Sequence, residues 1–396
     1  MAVDSTAASI QADRDYILQT YVKPDFVVER GEGVYLIDTA GRRYLDFVAG
    51  IAVNALGYGD PEVTQAIADQ AAKLIHVSNL YHTAPAGELA RLLVESGPAF
   101  DRAFFGNSGA EVIEGAIKFA RRYARDKFGE GRTTIVAFDG SFHGRTMGAV
   151  AVTAREKYRE PFMPVMPGVR FAEFNSVASL EAAIGDDVCA VLLEPVQGEG
   201  GLRVASDEFL RAARELCDRH GALLIFDEIQ SGMGRTGALW AHEPSGVRPD
   251  MMTVAKPLAG GLPMGAVLVT EAVASALQPG DHGSTFGGGP LVASAALATC
   301  RKIEPLLPGV RRKGTLLADL LGSLALRNPC VRAVRGAGML WGIQVDGAAA
   351  IVGRALDAGL LLCGAGADVV RLLPPLVITD DELRRGVALL EEAIRC

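Results

Sequence analysis

The stretch Ala222-Leu223-Leu224-Ile225-Phe226-Asp227-Glu228-Ile229-Gln230 opens on five apolar residues and turns abruptly polar at Asp227. A second run, Met251-Met252-Thr253-Val254-Ala255, stops in the same way at Lys256. Short apolar runs bounded by breakers read as strands buried on both faces, the kind found in parallel sheets. Each strand therefore delivers a charged side chain at its carboxyl end, the edge where open α/β sheets bind ligands. An acid and an amine meeting at that rim point to carbonyl chemistry, because a lysine amine forms Schiff bases.

Outward from this centre, residues 133–138 and 188–193 read as further strands and residues 206–220 as a helix between strands. Alternation of this kind implies a mainly parallel sheet with crossover helices. Towards the N-terminus the chain reads as a helix from about residue 15, then two short strands at 34–38 and 43–47 about a turn at Gly41. Gly57-Tyr58-Gly59-Asp60-Pro61 is loop chemistry, with Pro61 placed to open the next helix. From about residue 300 the character changes to helix, strand (342–345), helix, strand (369–373) and a last helix from Thr379. The expected organisation is an N-terminal segment (1–60) joining a small domain, a large domain (61–300) and a smaller C-terminal α+β domain (301–396).

The chain has 396 residues, 49% hydrophobic and 22% charged, an ordinary globular composition. A net charge of −8 argues against nucleic acid or an anionic membrane as the main partner. No apolar run reaches the length of a membrane span. Residues 1–15 lack the apolar core of a signal peptide and the arginine-rich character of a transit peptide. The expected location is the cytoplasm, or a plastid or mitochondrial matrix for a processed chain. The six cysteines (Cys189, Cys217, Cys300, Cys330, Cys363, Cys396) show no Cys-x-x-Cys pair, which suggests free thiols and a reducing compartment, with Cys396 exposed.

Several motifs carry possible chemistry. Ser108-Gly109-Ala110-Glu111 has capping-box spacing, and Val112, Ile113, Ala116, Ile117 and Ala120 follow at helical intervals. A Gly-containing turn feeding a helix N-terminus suits a phosphate, although most such caps only start helices. Phe142, in Ser141-Phe142-His143-Gly144-Arg145-Thr146, stands on a loop where an aromatic ring can stack on a flat ligand or simply fill the core. Arg145 in the same turn suits a carboxylate or plain solvent exposure. Glu199, in Glu194-Pro195-Val196-Gln197-Gly198-Glu199-Gly200-Gly201, again places an acid beyond a strand end. Ser284 and Thr285 lie in the glycine-rich loop 283–289. Arg371 is a charge inside an apolar strand and requires an anionic partner, structural or substrate.

Gly232-Met233-Gly234-Arg235-Thr236-Gly237 matches a dinucleotide fingerprint. It does not directly join a strand to a helix, Pro244 cuts the following segment, and no ribose-binding acid stands in a βαβ context. With 46 glycines in the chain it reads as a chance match. The histidines and cysteines form no metal-ligand pattern.

Singly these signals are weak. Together they supply a phosphate cup, a ring stacker, an acid for a ring nitrogen, a Schiff-base lysine and two arginines, the set that pyridoxal 5′-phosphate requires. From Tyr21 to the last helix the chain resembles the class III (ω-) aminotransferases of fold type I, nearest their acetylornithine-specific branch. The motifs that carry the resemblance are Gly50-Ile51-Ala52-Val53-Asn54, Asn107 to Glu111, Phe142 to Thr146, Glu194 to Gly201, Asp227-Glu228 through Gln230, Gly234-Arg235-Thr236-Gly237, Lys256 and Gly283-Ser284-Thr285-Phe286.

The resemblance implies pyridoxal 5′-phosphate bound by Lys256, with Asp227 on the ring nitrogen and Gln230 near the ring hydroxyl. Phe142 would stack on the ring, and Ser108, Gly109 and Ala110 would cup the phosphate. Thr285 would reach the cofactor of a neighbouring subunit, hence a homodimer with shared active sites. Arg145 and Ser284 would meet substrate, and Glu199 would gate Arg371. The implied substrates are N2-acetyl-ornithine, 2-oxoglutarate and glutamate, in arginine biosynthesis. Ornithine, 4-aminobutyrate and succinyl-diaminopimelate are alternatives on the same scaffold. A nicotinamide oxidoreductase and a cofactor-binding relative without turnover are the alternatives from other classes. The chain departs from the family pattern at Pro257-Leu258-Ala259-Gly260 after the lysine, at Ala110 and Val112, and at Gly289.

Overall fold

The computed structural model of the chain describes residues 2–97 and 99–394. Its centre is a seven-stranded sheet. In chain order the strands are β1 (Arg102–Gly106), β2 (Thr134–Phe138), β3 (Val169–Ala172), β4 (Val188–Leu193), β5 (Leu223–Asp227), β6 (Met251–Val254) and β7 (Gly265–Val269). Their order across the sheet is β1-β7-β6-β5-β4-β2-β3. Strand β7 runs antiparallel to both neighbours, and the other six share one direction. The expected mainly parallel α/β sheet is therefore present.

Both faces of this sheet are covered, which is why its strands read as continuous apolar runs. Helix α1 (Gly109–Phe128) buries Val112, Ile113, Ala116, Ile117, Ala120 and Ala124 against one face, the helical spacing of the sequence. Helix α2 (Asp207–His220) buries Phe209, Leu210, Ala213, Leu216 and Cys217 against the other. It starts at Ser206, whose side chain accepts the Phe209 N–H at 3.1 Å, and stops at Gly221, whose φ of 66° is left-handed. Truncating one of the buried isoleucines, such as Ile113→Ala, removes about 2–5 kcal/mol.

Two further four-stranded sheets accompany this layer, besides a two-stranded ribbon of Val196–Gln197 and Arg203–Val204. Val28–Glu32, Tyr35–Asp38, Arg43–Asp46 and Leu360–Leu361 form one. Val331–Ala337, Leu340–Val345, Val369–Leu372 and Cys363–Gly364 form the other. The parallel pairing of Leu45 with Leu360 stitches the N-terminal hairpin to the C-terminal part of the chain. Helix α3 (Pro290–Arg327), of 38 residues, runs continuously through position 300 and contains Pro305 and Pro308.

The expected helix from residue 15 is displaced. The helix is Ala2–Tyr16, whose Ala-rich run favours helix, and irregular chain follows up to Val28. Pro24 has no amide to continue a helix. Among the cysteines, Cys189, Cys217, Cys300 and Cys363 are free. Cys330 is disulfide-bonded, against the expectation of free thiols throughout. Cys396 lies outside the described residues. Among the described residues no helix is long and apolar enough to cross a membrane.

Candidate active site

Strand alternation decides where Asp227 points. Leu223 and Ile225 belong to the core on the α1 side, whereas Leu224 and Phe226 belong to the α2 side. With a period of two, Asp227 extends the α1 face past the last apolar layer, toward the helix N-terminus. It pairs in register with Thr253, three residues before Lys256. Asp227 and Lys256 thus line one cavity of about 270 Å³, with Gly109, Ala110, Phe142, His143, Arg145, Glu194 and Gln230 around it. A larger recess of about 760 Å³ lies between helix Ala84–Glu95, α3 and the loop at 233–243. It is rimmed by surface charges such as Glu88, Arg91, Arg301 and Glu304, and it contains no lysine. The chemistry of the lining therefore outweighs size in choosing between the two.

Asp227 is held from three directions. His143 donates from Nδ1 to Oδ2 at 2.7 Å, and Oδ1 accepts from the Ile229 N–H at 3.0 Å and the Thr253 hydroxyl at 3.3 Å. His143 is buried, and its Nε2 has no hydrogen-bond partner. Burial works against the imidazolium, but the hydrogen bond and charge of Asp227, with the charge of Glu194 behind, hold this histidine above its ordinary value. Glu194 accepts the Phe142 N–H at 3.2 Å. Burial pushes its carboxyl up to about 7, with the Asp227 charge adding to that and His143 opposing it.

Lys256 makes no hydrogen bond or ion pair within the described residues. Burial, then the positive charge of Arg371, lower its ammonium to about 8, against the pull of Glu199, Asp227 and Glu194. A lysine so poised carries a much larger neutral fraction near neutrality than an exposed one, which suits a nucleophile and a proton carrier.

Helix α1 begins at the cavity. The Ser108 hydroxyl accepts the Glu111 N–H at 3.2 Å, the expected cap. The reciprocal half of the box is altered: Glu111 accepts the Asn107 N–H at 2.6 Å rather than that of Ser108. Gly144 lets the Phe142–Arg145 loop approach this helix end. Its φ is +139°, and a Cβ there would stand 2.8 Å from the Ala110 Cβ.

The second polar group centres on Arg371, which is 2% exposed. Its Nη1 lies 2.5 Å from Glu199 Oε1 and donates to Gln230 Oε1 at 3.0 Å and to the Gly198 carbonyl at 3.1 Å. Burial disfavours its charge, yet Cys363 and Glu199 raise its pKa overall. The acid foreseen for this arginine is therefore present. Gly198 has no room for a side chain, since a Cβ would fall 2.1 Å from the Gln230 amide oxygen.

Other sequence-selected residues lie at the edge of this cavity or outside it. Arg145 is exposed at the cavity mouth. Ser284 accepts from Asn107 Nδ2 at 3.0 Å and donates to Glu111 Oε1 at 3.0 Å, so it braces the start of α1. Thr285 is exposed and lines a separate recess of about 200 Å³ with His76, Tyr81 and Gly289. The 232–237 glycine run forms a turn. Arg235 is buried there with no acidic partner among the described residues, lowered to about 10 by burial, and donates to the carbonyls of Met339 and Pro374 at 3.2 and 2.5 Å. It ties the loop after Asp227 to the C-terminal part of the chain. Sequence reasoning did not single out His143 or Glu194, although both stand inside motifs it quoted.

The donor set fits pyridoxal 5′-phosphate. A helix N-terminus offers N–H groups, an oriented acid and an amine with no partner among the described residues share one cavity, and Gly144 lets the Phe142–Arg145 loop close against that helix end. Residues 16–394 match the family described as Aminotransferase class-III. The mitochondrial acetylornithine aminotransferase of Alnus glutinosa is 50% identical over 386 residues, 96% of this chain and 85% of its own. The N-acetylornithine aminotransferase of Stenotrophomonas maltophilia K279a superposes with a TM-score of 0.84 at 39% identity, covering 97% and 98% of the two chains. The ornithine aminotransferase of Toxoplasma gondii superposes at 0.94 with 32% identity over 98% and 94%, and its crystals held PLP at partial occupancy in the active site.

Proposed function

This chain belongs to the class-III aminotransferases, and we propose that it transfers the side-chain amino group of N2-acetyl-L-ornithine to 2-oxoglutarate, giving N-acetyl-L-glutamate 5-semialdehyde and L-glutamate, in arginine biosynthesis. Class-III aminotransferases use pyridoxal 5′-phosphate, and the chain is a pyridoxal-phosphate-dependent transaminase. The chemistry supplied when that cofactor is bound is a carbonyl that condenses with amines and a ring that accepts an electron pair.

In this reading Lys256 would hold the cofactor and would carry a proton at its Nζ. Asp227, fixed by His143, Ile229 and Thr253, would keep the ring nitrogen protonated. Phe142 would stack on the ring and Gln230 would sit near the ring hydroxyl. Ser108, Gly109 and Ala110 would receive the phosphate at the start of α1. Arg145 would take a substrate carboxylate; Ser284, held by Asn107 and Glu111 at the start of α1, is proposed to meet substrate from there.

The observation that carries the reading is the Arg371–Glu199 pair at 2.5 Å, near enough for both charges to act on Lys256. The enzyme must accept two amines at one lysine. One is a side-chain amine with no carboxylate beside it, and the other is an α-amine next to one. An arginine masked by a movable acid is neutral toward the first and open to the second. The acetyl preference draws its support from the acetylornithine aminotransferases among the relatives.

The dimer belongs to the same proposal. Thr285 stands outside the Lys256 cavity, where it completes the phosphate site of a second copy. Leu80, Tyr81 and Phe286 are exposed at 84%, 68% and 62% around it, a surface that a second copy would cover. The reaction is assigned to the cytoplasm, or to an organelle matrix for a processed chain.

Steady-state assays with acetylornithine, ornithine, 4-aminobutyrate and succinyl-diaminopimelate test the substrate, with glutamate formed from 2-oxoglutarate as readout. The expected kcat/KM for acetylornithine exceeds the others by at least about tenfold, 1.4 kcal/mol of discrimination. Equal values, or preference for ornithine, contradict the acetyl assignment. Sedimentation giving a monomer contradicts the shared site.

A further inference from the structure

Arg145 presents an unusual balance. It lines the cavity that contains Lys256, yet among the described residues it forms no ion pair and no hydrogen bond. What it touches is aromatic. Its Cζ lies 3.6 Å from the centroid of the Tyr158 ring and 5.5 Å from that of Phe142. Tyr158 belongs to the single helical turn Glu156–Arg159 and meets Phe142 edge to face, with centroids 6.0 Å apart at 82°. Phe142 lines the same cavity, so the ring pair ties the guanidinium's position to the cavity wall.

The mode of holding matters. A carboxylate partner would fix Arg145 by consuming the in-plane N–H fork that a substrate needs. A ring face attracts the guanidinium through its plane and leaves all five N–H donors free. We propose that Tyr158 is a positioning residue, whose ring face fixes Arg145 so that its N–H fork is presented, unspent, to the substrate's carboxylate. This rests on the reading that Arg145 takes that carboxylate. Tyr158 itself need not touch substrate.

The test separates carboxylate recognition from general damage. N-acetylnorvaline has the carboxylate and acetamide of acetylornithine but no reacting amine, so its affinity for the holoenzyme by calorimetry needs no turnover. N-acetylputrescine has the amine and acetamide but no carboxylate, and it serves as the kinetic control. Tyr158→Leu should raise the Kd of N-acetylnorvaline and the KM of acetylornithine about three- to tenfold, the range of a cation–π contact. KM for N-acetylputrescine and kcat for both amines should stay within about twofold. Tyr158→Phe, which keeps the ring face, should match wild type. Pentafluorophenylalanine at position 158 keeps the shape but reverses the ring quadrupole, and it should behave like leucine even if the leucine variant folds poorly.

Unchanged affinity with the fluorinated ring overturns the proposal, as does an equal loss for N-acetylputrescine. Failure of the underlying reading looks different: wild-type enzyme would then bind N-acetylnorvaline no better after Arg145 is intact than in Arg145→Ala.

Discussion

Replacing Lys256 by methionine removes the ammonium and leaves an unbranched side chain one heavy atom shorter, and in cofactor-free protein a gain in stability is expected. The folded chain holds this ammonium at about 8, with burial as the leading cause, against an ordinary lysine value of 10.5. At 1.36 kcal/mol per pH unit the folded state loses about 3 kcal/mol by keeping the charge, trimmed to about 2 kcal/mol because the side chain is partly exposed. The sign follows from proton counting. Between about pH 8 and 10.5 the unfolded chain retains a proton that the folded chain has released, so wild-type stability rises with pH across that window. Methionine binds no proton. The variant should therefore be more stable by about 2 kcal/mol at pH 7, and the gap should close by about pH 10.5. Urea unfolding of both proteins at pH 7, 8, 9 and 10.5 measures it. A gap absent at pH 7, or constant across the window, would refute the claim that the fold destabilises this ammonium. The instability has a use: a lysine made reluctant to carry charge is a better nucleophile near neutrality.

Three further outcomes follow from the geometry. Asp227→Asn should lower kcat about 100-fold or more while changing cofactor affinity less than about tenfold, because the charge rather than the shape is lost; similar losses in both would argue for a structural role, and titration of the apoenzyme with cofactor beside kcat separates the two. Glu199→Ala leaves Arg371 without its acid, so the ratio of kcat/KM for glutamate to that for acetylornithine should rise about tenfold or more, and an unchanged ratio means no gate. Gly144→Ala forces a side chain into a left-handed position and against Ala110, which should cost about 2–4 kcal/mol in unfolding experiments and weaken cofactor binding.

Much of the site was legible because it follows short-range rules. Apolar runs that end in Asp227 and Lys256 betray strands whose carboxyl ends share a rim, and the Ser108 cap shows where α1 starts. That Arg371 has an anionic partner was legible because a charge inside an apolar strand requires an answer, whereas Glu199 as that partner came only from the family resemblance. What escaped is long-range or without period. Ser284 reaches Asn107 and Glu111 across 177 and 173 residues, and no local pattern encodes that contact. His143 and Glu194 are buried polar groups in loops, where a sequence gives no sign of burial, so the support beneath Asp227 went unread. Strands β1, β3 and β7 are short, with partly exposed or Gly-led patterns, and were not separated from their surroundings. The helix read from about residue 300 is the later part of α3, whose earlier start at Pro290 was missed; it runs on through Pro305 and Pro308, which normally argue for a break, because packing against the core overrides that preference.

The central claim is that Lys256 is the residue that fixes the cofactor in the cavity beside Asp227. Borohydride reduction of the protein loaded with pyridoxal 5′-phosphate, followed by digestion and mass spectrometry, tests it in one step. The account predicts a stable pyridoxyl adduct on the peptide containing Lys256 and none in Lys256→Ala. An adduct on another lysine, or equal labelling of the variant, would contradict it.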